Sequence, residues 1–391
     1  MISTEQTAER ELLLMVAGAN GAIGTTLAAA IAQMATDPNP ILSGLTTRGR
    51  LRGCGVPQSM RMTGWDTDPV PLIRSLERHG VIPQSQWRPH AEALAGVAVR
   101  PAPDQNARLA DQVKVVQQDM HRFLSDHPGA QPVLVNLLPA ACDFGQAHQL
   151  QSLDDLGRMN EPALPDLGYV LAAVLMGIPV VNFTPNTVEL PLVCREADLR
   201  NIPLAGRDGK TGQTYLKVVL ASALKARSLY VDGWYSLNIL GNADGRNLMD
   251  PDRACGKLRN KTNLLDEILG YCVGEPYGEA SHKVHIDYYP PRGDAKEAWD
   301  VIDFKGIFGM PMSLRLNLQG RDSILAAPLV IDLACWVAAL KNAEMGGPCS
   351  DLGFYFKKAV GEHPPLTFQD QLAALDRLEK QIVERILGPL D

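Results

Sequence analysis

An apolar run at residues 12–16 leads directly into GANGAIGTTLAAAIAQM, with glycines at 18, 21 and 24, and this segment constrains the chain more than any other. It specifies a strand, a tight turn and a helix in that order. Gly18 and Gly21 allow backbone angles closed to other residues and let an anionic ligand approach the main chain. Gly24 lets the helix pack close to the strand, and the first N–H groups of the helix face the turn unpaired. A dinucleotide pyrophosphate fits such a turn, and so does an ordinary strand-to-helix connection. Further apolar runs at 133–138 and 178–183, with a helical stretch near 167–176 between them, extend the alternation of strand and helix. The expected fold class is therefore α/β, with a parallel sheet covered on both faces.

The chain has 391 residues, enough for two or three domains, and 46% of them are hydrophobic, so a large core can be filled. Its formal charge of −7 gives no electrostatic case for nucleic acid as a partner. Seven scattered cysteines without a CxxC pair read as reduced thiols of a cytoplasmic protein. No uninterrupted 18-residue apolar segment or secretion signal is evident, so no membrane partner is expected. Residues 44–103 read as long loops and short helices. The periodicity predicts a helix over 215–229, strands over 230–240, 284–289 and 311–318, and helices over 324–340 and 369–387. A second, more open sheet follows from these strands. The expected division is 1–204 for a nucleotide domain, 205–323 for a second mixed α/β domain, and 324–391 for helices returning to the first.

Several polar constellations carry chemistry. GRDGKTGQT sets Asp208, Lys210 and Thr211 on a glycine-lined segment that can clasp phosphate, although its spacing is not that of a Walker loop, and a solvated turn explains it too. NILGNADGRNL places Asn238, Asn242 and Asp244 where paired hydrogen bonds can hold a polyhydroxylated substrate; a structural turn is the alternative. Lys257 and Lys261 stand four apart after an expected N-cap at Asp250, on one helix face, where two cations can bracket a phosphate or steady oxyanions. In HIDYYPPRGDAKEAWD, Asp287, Asp294 and Lys296 lie near a break between a short strand and an expected helix. Asp322 and Ser323 precede the apolar helix over 324–340, and Lys357 and Lys358 follow it. His282 and His285 lack a third ligand, so no metal site is assigned.

Taken in order, GANGAIG, VNFTP, GRDGKTGQT, LGNADGRNL, KLRNK, IDYYPPRGDAKEAWD and GRDSILAAPLVIDL resemble the inositol-1-phosphate synthase family, of bacterial type, over nearly the whole chain. The resemblance implies a Rossmann-like NAD-binding domain beside a mixed α/β catalytic and oligomerisation domain, and a homotetramer. It implies conversion of D-glucose 6-phosphate to 1L-myo-inositol 1-phosphate, in inositol and phospholipid biosynthesis. Oxidation at C5, enolisation, attack on C1 and re-reduction follow one another with no net redox change. NAD is expected to be tightly bound and regenerated, and an ammonium or divalent-cation requirement is compatible with the resemblance. Catalytic roles fall by resemblance on Lys210, Lys257, Lys261, Lys357, Asp322, Asp208, Asn238, Asn242 and Asp244. Cofactor contacts fall on Gly18, Gly21, Ala22, Ile23, Gly24, Asp66, Asn136, Thr184, Asp208, Asp294, Asp322 and Ser323. VNLLPA around Asn136 and Asp287 in IDY depart from the family pattern, and Lys296 is placed to supply the cation missing at 287. Two alternatives stay open: an NAD-dependent enzyme closing a carbocycle from another sugar phosphate, and an inactive regulator that binds sugar phosphate or NAD.

Overall fold

The structure is a computed structural model that describes residues 11–36, 51, 59–141, 150–158, 164–242, 245 and 264–388. Among these, seven strands form one parallel sheet in the order β11-β6-β5-β4-β1-β2-β3. They are β1 (Leu12–Ala17), β2 (Met60–Asp66), β3 (Val99–Pro101), β4 (Gln131–Asn136), β5 (Val180–Asn182), β6 (Pro203–Gly206) and β11 (Gly347–Pro348). Every residue of β1 is buried, as a central parallel strand with both faces covered requires. Leu12, Leu14 and Val16 face one apolar cluster, while Leu13, Met15 and Ala17 face the other.

Helices α1 (Ala22–Thr36) and α2 (Leu72–His79) cover the first face. Helices α3 (Leu109–Asp126), α4 (Pro165–Leu175) and α5 (Pro191–Arg200) cover the second. Helix α6 (Gly212–Ala226) leaves this body for the second sheet. Helix α7 (Asp322–Asn342) is long and apolar enough by composition to cross a bilayer, yet it packs inside the protein against α1 and strands β4 to β6. Helix α8 (Phe368–Leu387) opens with a capping box between Thr367 and Asp370 and sets Leu375, Leu378 and Ile382 into the same core.

Four strands form the second sheet, in the order β10-β9-β7-β8: β7 (Tyr230–Leu240), β8 (His282–Tyr288), β9 (Lys296–Lys305) and β10 (Pro311–Gly320). β7 and β8 are parallel, and β9 runs antiparallel to β7 and β10. On β7 the residues Trp234, Ser236, Asn238 and Leu240 turn inward and Tyr235 outward, the alternation of a sheet covered on one face.

Two expectations are corrected here. The helix expected after the break in HIDYYPPRGDAKEAWD is strand β9, because pairing on both sides with β7 and β10 outweighs the helix preference of Ala, Lys and Glu. The 44–103 region contains β2 and β3 in addition to short helices, since Gly64 and its neighbours pair with β1 over a full strand length.

Candidate active site

All strands of the first sheet run the same way, so their C-terminal ends share one edge. The turn after β1 lies on that edge. Gly18 has φ +86°, and a Cβ there would stand 3.0 Å from the Leu137 carbonyl oxygen. A Cβ on Gly24 would stand 2.4 Å from the Ala19 carbonyl oxygen, so the third glycine is what lets α1 start where it does. Gly18 and Ala19 donate to the Trp65 carbonyl, while Ala22, Ile23 and Gly24 form the first turn of α1, whose N–H groups have no partner within the helix. Asp66 closes the turn: one carboxylate oxygen accepts the Asn20 N–H at 2.9 Å and the other the Asp68 N–H at 3.2 Å. Asn20 in turn donates its side-chain amide to the Asp68 and Val70 carbonyls. Sequence reasoning passed over Asn20, whose place inside the glycine turn was the available signal.

Asn136 and Thr184, expected beside a cofactor, are taken up in a buried network at the ends of β4 and β5. Asn136 Nδ2 donates to Asp166 at 2.7 Å and to Asn182 at 3.2 Å. Thr184 donates its hydroxyl to Asn182 Oδ1, and Asn186 donates to Asp166. The departure around Asn136 thus leaves no polar atom stranded in the network. Burial pushes the Asp166 carboxyl above the ordinary carboxylate range, against the pull of the Asn136 and Asn186 amides.

The segment 206–210 is stitched on both sides. The Asp208 and Gly209 N–H groups donate to the Thr184 and Phe183 carbonyls, and those of Arg207 and Lys210 to the Lys358 and Tyr355 carbonyls. This pairing presents Asp208 to Lys357, whose Nζ lies 2.7 Å from Asp208 Oδ1. It turns Lys210 the other way. The Lys210 ammonium, buried, donates to the Gly353 carbonyl at 3.0 Å and to Gln371 Oε1 at 2.7 Å, and burial pushes its pKa down to about 7. The phosphate-facing position expected for Lys210 is therefore not what the structure gives: its side chain anchors the segment to the loop before Tyr355 and to α8.

Beyond that segment, Thr211 donates to Asp322 Oδ1 at 3.2 Å and Lys296 to Asp322 Oδ2 at 3.1 Å. Burial works to raise the Asp322 pKa, but the charges of Lys296 and Lys357 and the two hydrogen bonds prevail and hold the carboxyl below its usual range. Asp322 and buried Ser323 open α7. Asn242 donates to Asp294 at 3.3 Å, and Arg321 lies 3.7 Å from the other Asp294 oxygen; burial nonetheless raises the Asp294 pKa. Asn238 is buried with both amide atoms unpartnered among the described residues. Asp208, Lys357, Thr211, Asp322 and Lys296 thus converge, with Asp294 near Asp322. Lys257, Lys261 and Asp244 lie outside the described residues. Asp287 is exposed on the outer face of β8, while Lys296 supplies the cluster with a cation. The GDAK spacing, which puts Lys296 two residues past Asp294, was its signal in the sequence.

The sequence matches known proteins over part of its length. Residues 212–323 match the family described as Myo-inositol-1-phosphate synthase. The chain is related to that family. It is 40% identical over 238 residues to inositol-3-phosphate synthase 1 of Bacteroides thetaiotaomicron, covering 59% of this chain and 54% of that protein. It is 30% identical over 360 residues to inositol-3-phosphate synthase 1 of Macaca fascicularis, covering 83% and 60%. The chain thus spans little more than half the length of these curated relatives. In fold it is similar to the crystal structure of inositol-3-phosphate synthase from Caenorhabditis elegans, with a TM-score of 0.81 at 19% identity over 98% of this chain and 87% of that one. The α/β architecture with a parallel Rossmann-like sheet and a second mixed sheet is that of this fold.

The residues of the β1 turn fit a dinucleotide: Gly18 at positive φ, Gly24 where a side chain would collide with backbone, a helix start whose first donors have no partner within the helix, and a carboxylate closing the loop. No cluster of three or more His, Cys, Asp or Glu suited to a metal ion occurs among the described residues.

Proposed function

We propose that this chain is an inositol-phosphate synthase of the bacterial type, cyclising D-glucose 6-phosphate to 1L-myo-inositol 1-phosphate with NAD held in the β1 turn. One observation carries the reading. Two lysine–carboxylate pairs, Lys357–Asp208 and Lys296–Asp322, meet beside Thr211 near the sheet edge that carries the glycine turn. NAD, when bound, supplies a reversible hydride acceptor, which a cyclisation without net redox change requires. The chain's own residues must then hold the sugar phosphate and stabilise the oxyanions formed as carbon acids lose protons. Lys296 and Lys357 stabilise those oxyanions, since each ammonium is held in place by a carboxylate at hydrogen-bond distance. Asp208 and Asp322 fix where those charges sit. Asn238, with a buried amide and no internal partner among the described residues, offers both a donor and an acceptor to sugar hydroxyls. The family likeness adds Lys257 and Lys261 as phosphate or oxyanion partners, along with a homotetramer in the cytoplasm.

The test is a product analysis. Purified protein incubated with NAD and isotopically labelled glucose 6-phosphate is expected to yield a labelled carbocyclic phosphate with no net accumulation of NADH. Turnover of a different sugar phosphate, with none of glucose 6-phosphate, would assign another substrate. Binding without turnover of any sugar phosphate would identify a regulator.

A further inference from the structure

Between its first turn and Lys341, helix α7 carries a single charged residue, Asp332, in a run apolar enough by composition to span a bilayer. Asp332 is buried, and a carboxylate in such a place is costly unless it is hydrogen-bonded. The Tyr355 hydroxyl lies 3.2 Å from Asp332 Oδ2 and 2.9 Å from the Trp336 indole nitrogen. An indole N–H can only donate, so the phenol oxygen accepts from Trp336 and its own proton goes to the carboxylate. Asp332 and Trp336 stand four apart, on one face of α7. Tyr355 and Trp336 are fully buried, inside the apolar cluster that joins α7 to the parallel sheet.

What this network holds is the segment that carries Lys357. The Tyr355 carbonyl accepts the Lys210 N–H at 2.8 Å, and two residues further on the Lys357 N–H donates to the Asp208 carbonyl at 2.8 Å. The Lys357 ammonium then stands 2.7 Å from Asp208 Oδ1. Main-chain pairing with 206–210 fixes Lys357 relative to Asp208, but not relative to α7. The phenol and its buried ring supply that second constraint. The same helix carries Asp322 in its first turn, where it holds Lys296 at 3.1 Å. From residue 322 to residue 332 the helix rises about 15 Å. One rigid element thus holds both lysines, Lys296 directly at its start and Lys357 through Tyr355 further along.

We propose that Tyr355 is a positioning residue, anchored by Asp332 and Trp336, that sets where Lys357 stands relative to Lys296 across the candidate site. The proposal rests on the reading of Lys357 as a stabiliser of substrate oxyanions and adds to it the residues that place that charge. Stabilisation of this kind depends on where the charge stands, and a displacement of about 1 Å can cost about a hundredfold in rate.

Turnover of glucose 6-phosphate by Tyr355→Phe, which keeps the ring and loses the hydroxyl, tests this well below the melting temperature. Its kcat is expected to fall about tenfold, with KM for the sugar phosphate and NAD affinity within about twofold. Asp332→Asn, whose side-chain carbonyl still accepts the phenol proton, is expected to keep kcat within about threefold. The deciding comparison is made in Lys357→Met, with isotopically labelled substrate to follow the slow reaction. If Tyr355 acts by placing Lys357, adding Tyr355→Phe to that background costs less than about twofold, whereas a hydroxyl that only supports the fold costs the same factor in both backgrounds. Unchanged kcat in Tyr355→Phe, even with a lowered melting temperature, or the full loss repeated in Lys357→Met, overturns the inference and leaves the reading of Lys357 intact. No turnover by the wild type, or turnover that Lys357→Met leaves undiminished, overturns both.

Discussion

Two glycine-bearing turns stand on the same edge of the parallel sheet and do opposite things with their main chains. The turn after β1 leaves the first N–H groups of α1 without partners among the described residues and uses its glycines to clear room around them. The segment after β6 has its N–H groups at 207, 208, 209 and 210 all bonded to neighbouring carbonyls. The first can receive an anion with backbone alone. The second cannot, and acts through the side chains it holds in place, Asp208 above all. A Gly-Lys-Thr string therefore says little about phosphate binding until the partners of its amides are known.

That contrast can be broken at several points. The largest expected effect is at the side-chain turn: Lys357→Met should lower product formation from glucose 6-phosphate by about a thousandfold, the range of one positioned charge or proton donor. NAD affinity measured in parallel should stay within about threefold. A loss of NAD binding equal to the loss of turnover would mean that the two turns do not divide their work in this way. Gly24→Ala tests the backbone turn. Its Cβ would press on two carbonyl oxygens at 2.4 and 2.7 Å, so a loss of about 3 kcal/mol in unfolding free energy is expected, together with weakened NAD binding. Denaturant melts with and without NAD measure both.

Lys210 gives a pH signature. Unfolded, its ammonium keeps its proton up to about 10.5, and folded only up to about 7. Between those values unfolding takes up a proton, so stability rises with pH across the window, and the burial penalty is fully present below it. Relative to Lys210→Met, the wild type should gain about 1 kcal/mol per pH unit between roughly pH 7.5 and 9.5. A flat difference would show that Lys210 keeps its charge and faces an anion. Lys217, pushed by burial to about 8, has the same slope in both proteins and cancels. The smallest effect is expected at Asp287: exposed on the outer face of β8, it can become Lys with kcat and KM within about twofold.

Much of the first sheet was legible because a parallel strand buried on both faces is an unbroken apolar run, and β1 is one. β7 could be read for the opposite reason, since its alternation records one covered face. β9 could not. Residues 296–305 hold Lys, Glu, Ala and Asp, whose local preference is not for a strand, and only the strands on either side make them extended. In the candidate site, Asp208, Lys357 and Asp322 converge, because their motifs fix position along the chain and the fold brings those positions together. The direction of Lys210 was hidden, since it depends on pairing with residues nearly 150 positions away.

The stitching of 206–210 to residues 355–358 also sets an order of events at the ribosome. A nascent chain arrested before Tyr355 would contain β1 through β10 and the whole of the Gly-Lys-Thr string, yet Arg207 and Lys210 would have no carbonyls to meet and Asp208 no ammonium. The nucleotide turn can be complete while synthesis is still under way, whereas the charged cluster waits for sequence beyond α7.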